Sequence, residues 1–390
     1  MAVTEDTVDS SRRHFFQLAG AAGFLMCSKT PDRLASSLLE PSPADASGPA
    51  SSAPGTEPIV PYPDRSKVAL THGDNRRKNV FDALVSIDSE IKPGLQRKKY
   101  VLIKPNNVST EIQLASTHVD ALNGILDYLA PRFRGPVIIA ESSAGDTLEG
   151  YSNLGYRPLE KDWRSHQLSL LDLNRDGKYE THALIDYDLH ITPVRLAARL
   201  FDPDAFIICC AVLKTHNAAV ASLSVKNMTL GAPLHSPPSD GHWNDKRKYH
   251  VGVRQMQYNM LLTAQKMRPF WGATVIDGYE GMEGNGPTSG TPVSSRLAIA
   301  STDYIAADRV ALETMSVDSH WPGYLVYCGQ MGLGQYDLSK IDLIGASIAS
   351  VQKKYRLHSD IDRELQWMGP MQDLPPKLGL LNKKHEFIYG

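Results

Sequence analysis

Apolar runs that stop abruptly at a charged residue constrain this chain most. YVLI is followed by Lys104, VIIA by Glu141, ICCAVL by Lys214 and ATVI by Asp277, and Asp303 comes just after LAIAS. Runs without polar alternation predict strands buried on both faces, which is the habit of parallel sheets covered by helices. The segments between them have helical spacing. In STHVDALNGILDYLAP, Val119, Leu122, Ile125, Leu126 and Leu129 form one stripe, with Ser116 or Thr117 available as cap. The recurring β-α order predicts an α/β fold, with mostly parallel sheet flanked by helices. A folded part over 64–390 is larger than one core usually supports, so two lobes with a cleft, dividing near residue 200, or one large α/β domain are expected.

In open α/β sheets ligands bind outside the carboxyl ends of the strands. The residues that follow the apolar runs should therefore converge on one crevice. Ionised groups abutting buried strands are costly unless paired. Lys104, Lys214 and Lys226 are expected to hold an anion. Glu141, Asp277 and Glu283 are expected to bind a divalent metal or to act as acid and base, and His216 or His250 to shuttle protons. Candidate catalytic residues are Lys214, His216 and Glu283. Candidate substrate contacts are Lys104, Asn106, Lys226, Asn227 and His250.

The stretch DGYEGMEGNGPTSG, Asp277 to Gly290, packs three carboxylates and five glycines into fourteen residues. It lacks the strand–GxGxxG–helix context of a dinucleotide site and the Gly-Lys-Ser/Thr of a phosphate loop. It reads as a loop at a strand end. Gly284, Gly286 and Gly290 would allow unusual backbone angles, Pro287 would stiffen the exit, and Lys214 and Lys226 would be the carboxylates' partners.

Other motifs carry less. LNRDG places Asp172, Asn174, Asp176 and Gly177 as in a calcium loop, but Ala183 stands where Glu is needed, so HQLSLLDLNRDGKYETHALI is expected to be a hairpin. VASLSVKNMTL is expected to be a helix with Ser222 and Lys226 on one face. KRKYH (Lys246, Arg247, Lys248, His250) reads as a solvated basic loop, and the preceding HSPPSDGHWND as a long polar loop that could act as a lid.

The N-terminus, SSRRHFFQLAGAAGFLMC, has Arg12 and Arg13 before Phe15, Phe16 and a modestly apolar run. That is the layout of an export signal, and the paired arginines resemble the twin-arginine form. Residues 1–46 are expected to be the signal and cleavage region, and 47–63 a Pro/Ser/Ala-rich linker. The expected location is periplasmic or extracytoplasmic, with the twin-arginine translocation machinery as a partner. Cys27 would leave with the signal. Cys209 and Cys210 are neighbours in a strand and point to opposite faces, and Cys328 stands alone. Such spacing makes an iron–sulfur cluster unlikely within this chain. A net charge of -2 without a long basic run makes nucleic acid a poor partner.

The words IKPN, KTH…SLSVKNM.LGAP, DGYEGMEGNGPTSG and STDYIAADRVALETM, in that order, resemble the family of domain of unknown function 362 over roughly residues 67 to 320. The matching positions are Lys104, Pro105, Asn106, Lys214, His216, Lys226, Asn227, Asp277, Glu283, Gly284, Asn285, Gly286 and Pro287. The resemblance implies occasional association with ferredoxin-type modules, hence a separate redox partner protein, but the cysteines of such a module are not here. Two readings follow. One is an exported enzyme acting on a small anionic substrate or cofactor, by redox or metal-dependent chemistry. The other is a periplasmic non-catalytic protein that binds an anionic solute.

Overall fold

A computed structural model describes residues 64–163, 167–236 and 242–369. The expected export signal and linker lie outside the described residues, as does part of the expected lid.

The elements, in chain order, are β1 (Ser66–His72), α1 (Arg76–Ser86), α2 (Asp88–Leu95), β2 (Tyr100–Lys104), α3 (Val119–Leu129), β3 (Val137–Glu141), α4 (Thr147–Asn153), α5 (Arg157–Asp162) and β4 (Ser169–Asp172). Then come β5 (Tyr179–Ile185), β6 (Ile191–Ala197), β7 (Ala205–His216), β8 (Val220–Ser222), α6 (Ser224–Gly231) and α7 (Val253–Met267). The chain continues through β9 (Trp271–Asn285), β10 (Ser289–Ser301), α8 (Tyr304–Met315), α9 (Gly323–Gln330), β11 (Ile341–Gly345), α10 (Ile348–Val351) and α11 (Ile361–Glu364).

The fold is α/β, with one large mixed sheet in the order β11-β1-β10-β9-β7-β2-β3-β4 and β8 set against β7. The run β9-β7-β2-β3-β4 is parallel. The alternation of each central strand feeds two cores. Ile207, Cys209 and Ala211 pack on one face of the sheet, Phe206, Ile208 and Cys210 on the other. Both faces are covered by helices, which is why these runs are apolar throughout.

Strands from before and after residue 200 interleave in this sheet, since β1 lies between β11 and β10. Of the two expectations, the described residues have the single large α/β unit and not a division near residue 200. Two local expectations also change. β4 pairs with β3, whereas β5 pairs with β6 in a separate two-stranded sheet, so HQLSLLDLNRDGKYETHALI is not a hairpin. Ser222 ends β8 and α6 begins only at Ser224, so Ser222 and Lys226 are not neighbours on one helix.

DGYEGMEGNGPTSG is not a strand-end loop. β9 runs through Asn285 and pairs antiparallel with β10 from Asn285↔Ser289 down to Thr274↔Ser301. Among its expected special glycines only Gly284 has a left-handed backbone, at φ 77°. Gly286 is required by close approach, because a Cβ there would lie 2.0 Å from the Thr215 carbonyl oxygen.

Candidate functional site

The chain steps outward from β2 through β3 to β4, then returns to place β7 on the other side of β2. Such a reversal leaves a crevice at the strands' carboxyl ends. A cavity of about 390 Å³ occupies it, lined by residues that follow β2, β3 and β7, by α6, and by the segment 244–250.

Its floor is a buried ion pair. Lys104 Nζ lies 2.8 Å from Glu141 Oε1 and also donates to Asn227 Oδ1 at 3.0 Å and the Pro105 carbonyl at 3.2 Å. Glu141 accepts two further hydrogen bonds: Oε1 from the Ser142 N–H at 2.8 Å and Oε2 from the Asn107 N–H at 3.0 Å. Burial of two charges is tolerated when they are paired and further hydrogen-bonded, as here. Asn106 Nδ2 shares the Asn227 Oδ1 acceptor at 3.1 Å.

One wall is the face of α6 that carries Lys226, Asn227, Leu230 and Gly231, residues one turn apart. Its own N-cap residue, Leu223, has no side-chain oxygen to offer. Asp308 of α8 caps it instead, accepting from the N–H groups of Ser224 at 2.8 Å and Val225 at 2.9 Å and from the Ser224 hydroxyl. Burial lifts the Asp308 carboxyl to about 7 against these hydrogen bonds. Gly231 ends the helix against the ion pair, and a Cβ there would lie 2.3 Å from Lys104 Nζ. Lys226 is 5% exposed and has no hydrogen bond or ion pair among the described residues. Burial and then the Lys104 charge push it down to about 8.

The opposite wall is a short 3-10 helix, Asp245–Tyr249. Asp245 anchors it by accepting from Arg195 N and Nε, both at 2.8 Å, and by pairing with Lys248 at 3.0 Å. Lys248 is thereby turned toward Asp245, while Lys246, Arg247 and His250 line the cavity. Lys246 Nζ donates to Ser142 Oγ at 2.9 Å, and loss of hydration, outweighing Glu141, pushes it down to about 7.

Two imidazoles face the same space in complementary forms. His216 Nδ1 accepts from the N–H groups of Ala218 at 3.1 Å and Ala219 at 3.2 Å, so its proton sits on Nε2. His250 Nδ1 lies 3.0 Å from the Lys246 carbonyl, which only accepts, so its Nε2 carries a lone pair. Burial holds both neutral at pH 7, His216 well below its ordinary value and His250 at about 4.

Of the residues singled out in the sequence, Lys104, Asn106, Glu141, His216, Lys226, Asn227 and His250 line this cavity. Lys214 does not. It is fully buried, and its Nζ donates to the Ala115 carbonyl at 2.5 Å. Nor do Glu141, Asp277 and Glu283 come together as a metal site. Glu141 is engaged by Lys104 and two backbone N–H groups, as described. Asp277 pairs with Arg76 at 3.3 Å, and Glu283 accepts from the Arg356 N–H at 2.9 Å and lies 3.8 Å from its guanidinium. The partners expected for the hairpin carboxylates, Lys214 and Lys226, are thus replaced by Arg76 and Arg356. Among the described residues no group of three or more His, Cys, Asp or Glu is arranged to hold a metal ion. These residues do not fit a divalent metal, and no step is assigned to one. Lys246 and Arg247, read as a solvated loop, belong to the cavity instead.

Among the described residues the cavity therefore presents four basic side chains, Lys104, Lys226, Lys246 and Arg247, against one carboxylate. Comparison with other proteins adds the following. The family described as "Domain of unknown function (DUF362)" matches residues 101–313, a span that contains the cavity-lining residues. A "Thylakoid-associated protein" of Synechocystis sp. is 26% identical over 250 residues, covering 62% of this chain and 69% of that protein. A crystal structure of a Thermotoga maritima protein aligns over 57% of this chain and 55% of its own, with 12% identity and a TM-score of 0.39.

Proposed function

We propose that this chain, which belongs to the family described as "Domain of unknown function (DUF362)", binds a small anion of two or more charges in the cavity at the ends of β2, β3 and β7 and moves a proton to or from it. The observation that carries the reading is the excess of basic side chains. Lys104 is neutralised by Glu141, which leaves Lys226, Lys246 and Arg247, among the described residues, without a carboxylate in the cavity. Cations gathered in a half-dry space repel one another unless a ligand supplies the counter-charge. Lys226 and Lys246, at about 8 and 7, exchange protons near neutral pH, which suits acid and base work.

A second reading, a non-catalytic binder of an anionic solute, is favoured by the engagement of Glu141 with the Lys104 ammonium and two backbone N–H groups. It leaves the cavity, among the described residues, without a carboxylate able to accept a proton freely. Calorimetric titration with dicarboxylates, tricarboxylates and phosphate esters tests the binding claim. Binding that weakens about tenfold or more in Lys226→Met and Arg247→Ala supports it. Affinity unchanged in both variants contradicts it. Binding without turnover of any bound anion selects the second reading.

The same proposal places the protein outside the cytoplasm, on the strength of Arg12 and Arg13 before an apolar run. Residues 1–46 fused to a reporter should carry it across the inner membrane through the twin-arginine machinery, and replacing both arginines with lysine should retain it inside.

A further inference from the structure

Three amines line the cavity, and two of them are occupied. Lys104 Nζ is held by Glu141, Asn227 and the Pro105 carbonyl. Lys246 Nζ donates to Ser142 Oγ, whose own hydrogen points to the Gly231 carbonyl at 2.6 Å. Lys226 alone of the three has no hydrogen bond among the described residues, although it is almost fully buried. An amine kept dry beside other cations spends more of its time unprotonated and becomes a nucleophile. Two further atoms lack partners. Asn106 Oδ1 and Asn107 Nδ2, on side chains 4% and 2% exposed, have no hydrogen bond, and both residues line the same cavity. One is an acceptor and the other a donor. Leaving such atoms unpaired is costly, and a ligand carrying both a hydroxyl and an anionic oxygen would satisfy them.

We infer that Lys226 forms an imine with the carbonyl carbon of a 2-oxo acid bound in this cavity. The inference rests on the anion-site reading above and names the ligand class. Arg247 and the Asn107 amide would receive carboxylate oxygens. The reacting form is the less populated one in which Lys226 is neutral and Lys246 carries the proton, given their values of about 8 and about 7; its Lys226 nitrogen would add to the carbonyl carbon, forming the C–N bond as the C=O π bond opens. The oxygen takes a proton from the Lys246 ammonium, and the nitrogen, now positively charged, returns one to the Lys246 amine. The product is a neutral carbinolamine, whose hydroxyl can donate to Asn106 Oδ1. A second proton from Lys246 lets that oxygen leave as water, and the nitrogen lone pair closes the C=N bond of a protonated imine. Mass and charge balance without any further reactant. His216, with its proton on Nε2, is suited to hold the carbonyl oxygen by a hydrogen bond during attack.

The test is reductive trapping. The purified full chain is incubated with 2-oxoglutarate or pyruvate and sodium cyanoborohydride, and the adduct is located by peptide mass mapping. Glutarate and propionate serve as matched anions without the carbonyl, and their binding is followed by calorimetry. One adduct per chain, on Lys226 and suppressed by glutarate, is the expected result. Lys226→Arg should abolish it, and mapping on the unmutated chain keeps the result independent of whether that variant folds. An adduct spread over other lysines, or none while glutarate still binds, overturns the imine and leaves the anion site standing. Absence of both trapping and glutarate binding overturns the two together.

Discussion

Lys104 and Glu141 meet at 2.8 Å in a place where neither reaches solvent. Among the described residues this pairing sets the electrostatics of the cavity, because it removes one positive and the one negative charge and leaves three basic side chains facing the space. It is also a structural commitment. Removing one partner of a buried pair leaves the other uncompensated. Lys104→Met should lower the unfolding free energy by about 3–5 kcal/mol, read by urea denaturation. Lys104→Met combined with Glu141→Leu should recover a good part of that loss. A double variant no better than the single would show that the pair does not act as a unit.

Gly231 is the position that lets Lys104 reach its partners. A methyl group there would overlap the ammonium, and the ammonium is pinned by three hydrogen bonds. Gly231→Ala is expected to cost about 1–3 kcal/mol by overpacking, despite alanine's better helix propensity. A chain stabilised by that substitution would mean the ammonium moves aside freely.

Anion affinity should depend on pH with a defined sign. Lys246 and Lys226 are cationic below about 7 and about 8 respectively, and neutral above. His250, at about 4, is neutral throughout that window. Affinity for a fully ionised dicarboxylate is therefore greatest below pH 7 and falls as pH rises through 7 and 8. Binding isotherms measured from pH 6 to pH 9 check this, and the double variant Lys226→Met, Lys246→Met should show a nearly flat profile.

Glu364 gives a second pH dependence, of stability rather than binding. It is fully buried, its Oε2 accepts from the Val220 N–H at 2.7 Å, and burial raises its carboxyl from 4.5 to about 8. Between those two values the folded state holds a proton that the unfolded state has released. Its contribution is thus fully present below 4.5 and is lost as pH rises through about 8. Glu364→Gln keeps the acceptor for Val220 and removes the titration, so its melting temperature should decline less than the parent's between pH 5 and pH 8. Parallel curves for the two chains would show that Glu364 ionises normally.

Much of this was legible in the sequence, because continuous apolar runs and what terminates them are local features. β2 and β3 end one residue past their apolar runs, β7 continues from Leu213 to His216, and Lys104, Glu141 and His216 stand at the cavity. What was not legible depends on partners far along the chain. Asp277 looked like a ligand because nothing nearby could neutralise it, and Arg76 does so from before β2. The turn that delivers the Ala115 carbonyl to Lys214 takes that lysine out of the site. KRKYH has the composition of a solvated loop. It becomes a wall only because Arg195, on β6, binds Asp245 and turns Lys246 and Arg247 inward. The glycine-rich hairpin misled for a different reason: β10 begins with the polar stretch SGTPVS, which carries no apolar strand signal.

The central claim is that Lys226, Lys246 and Arg247 together hold an anion. A crystal structure of the protein grown with selenate or tungstate, located by anomalous scattering, tests it most directly. The account expects the anion inside the cavity, within hydrogen-bonding distance of Lys226 Nζ and of Lys246 or Arg247. Anions bound only elsewhere on the surface, with water alone beside Lys226, would contradict it.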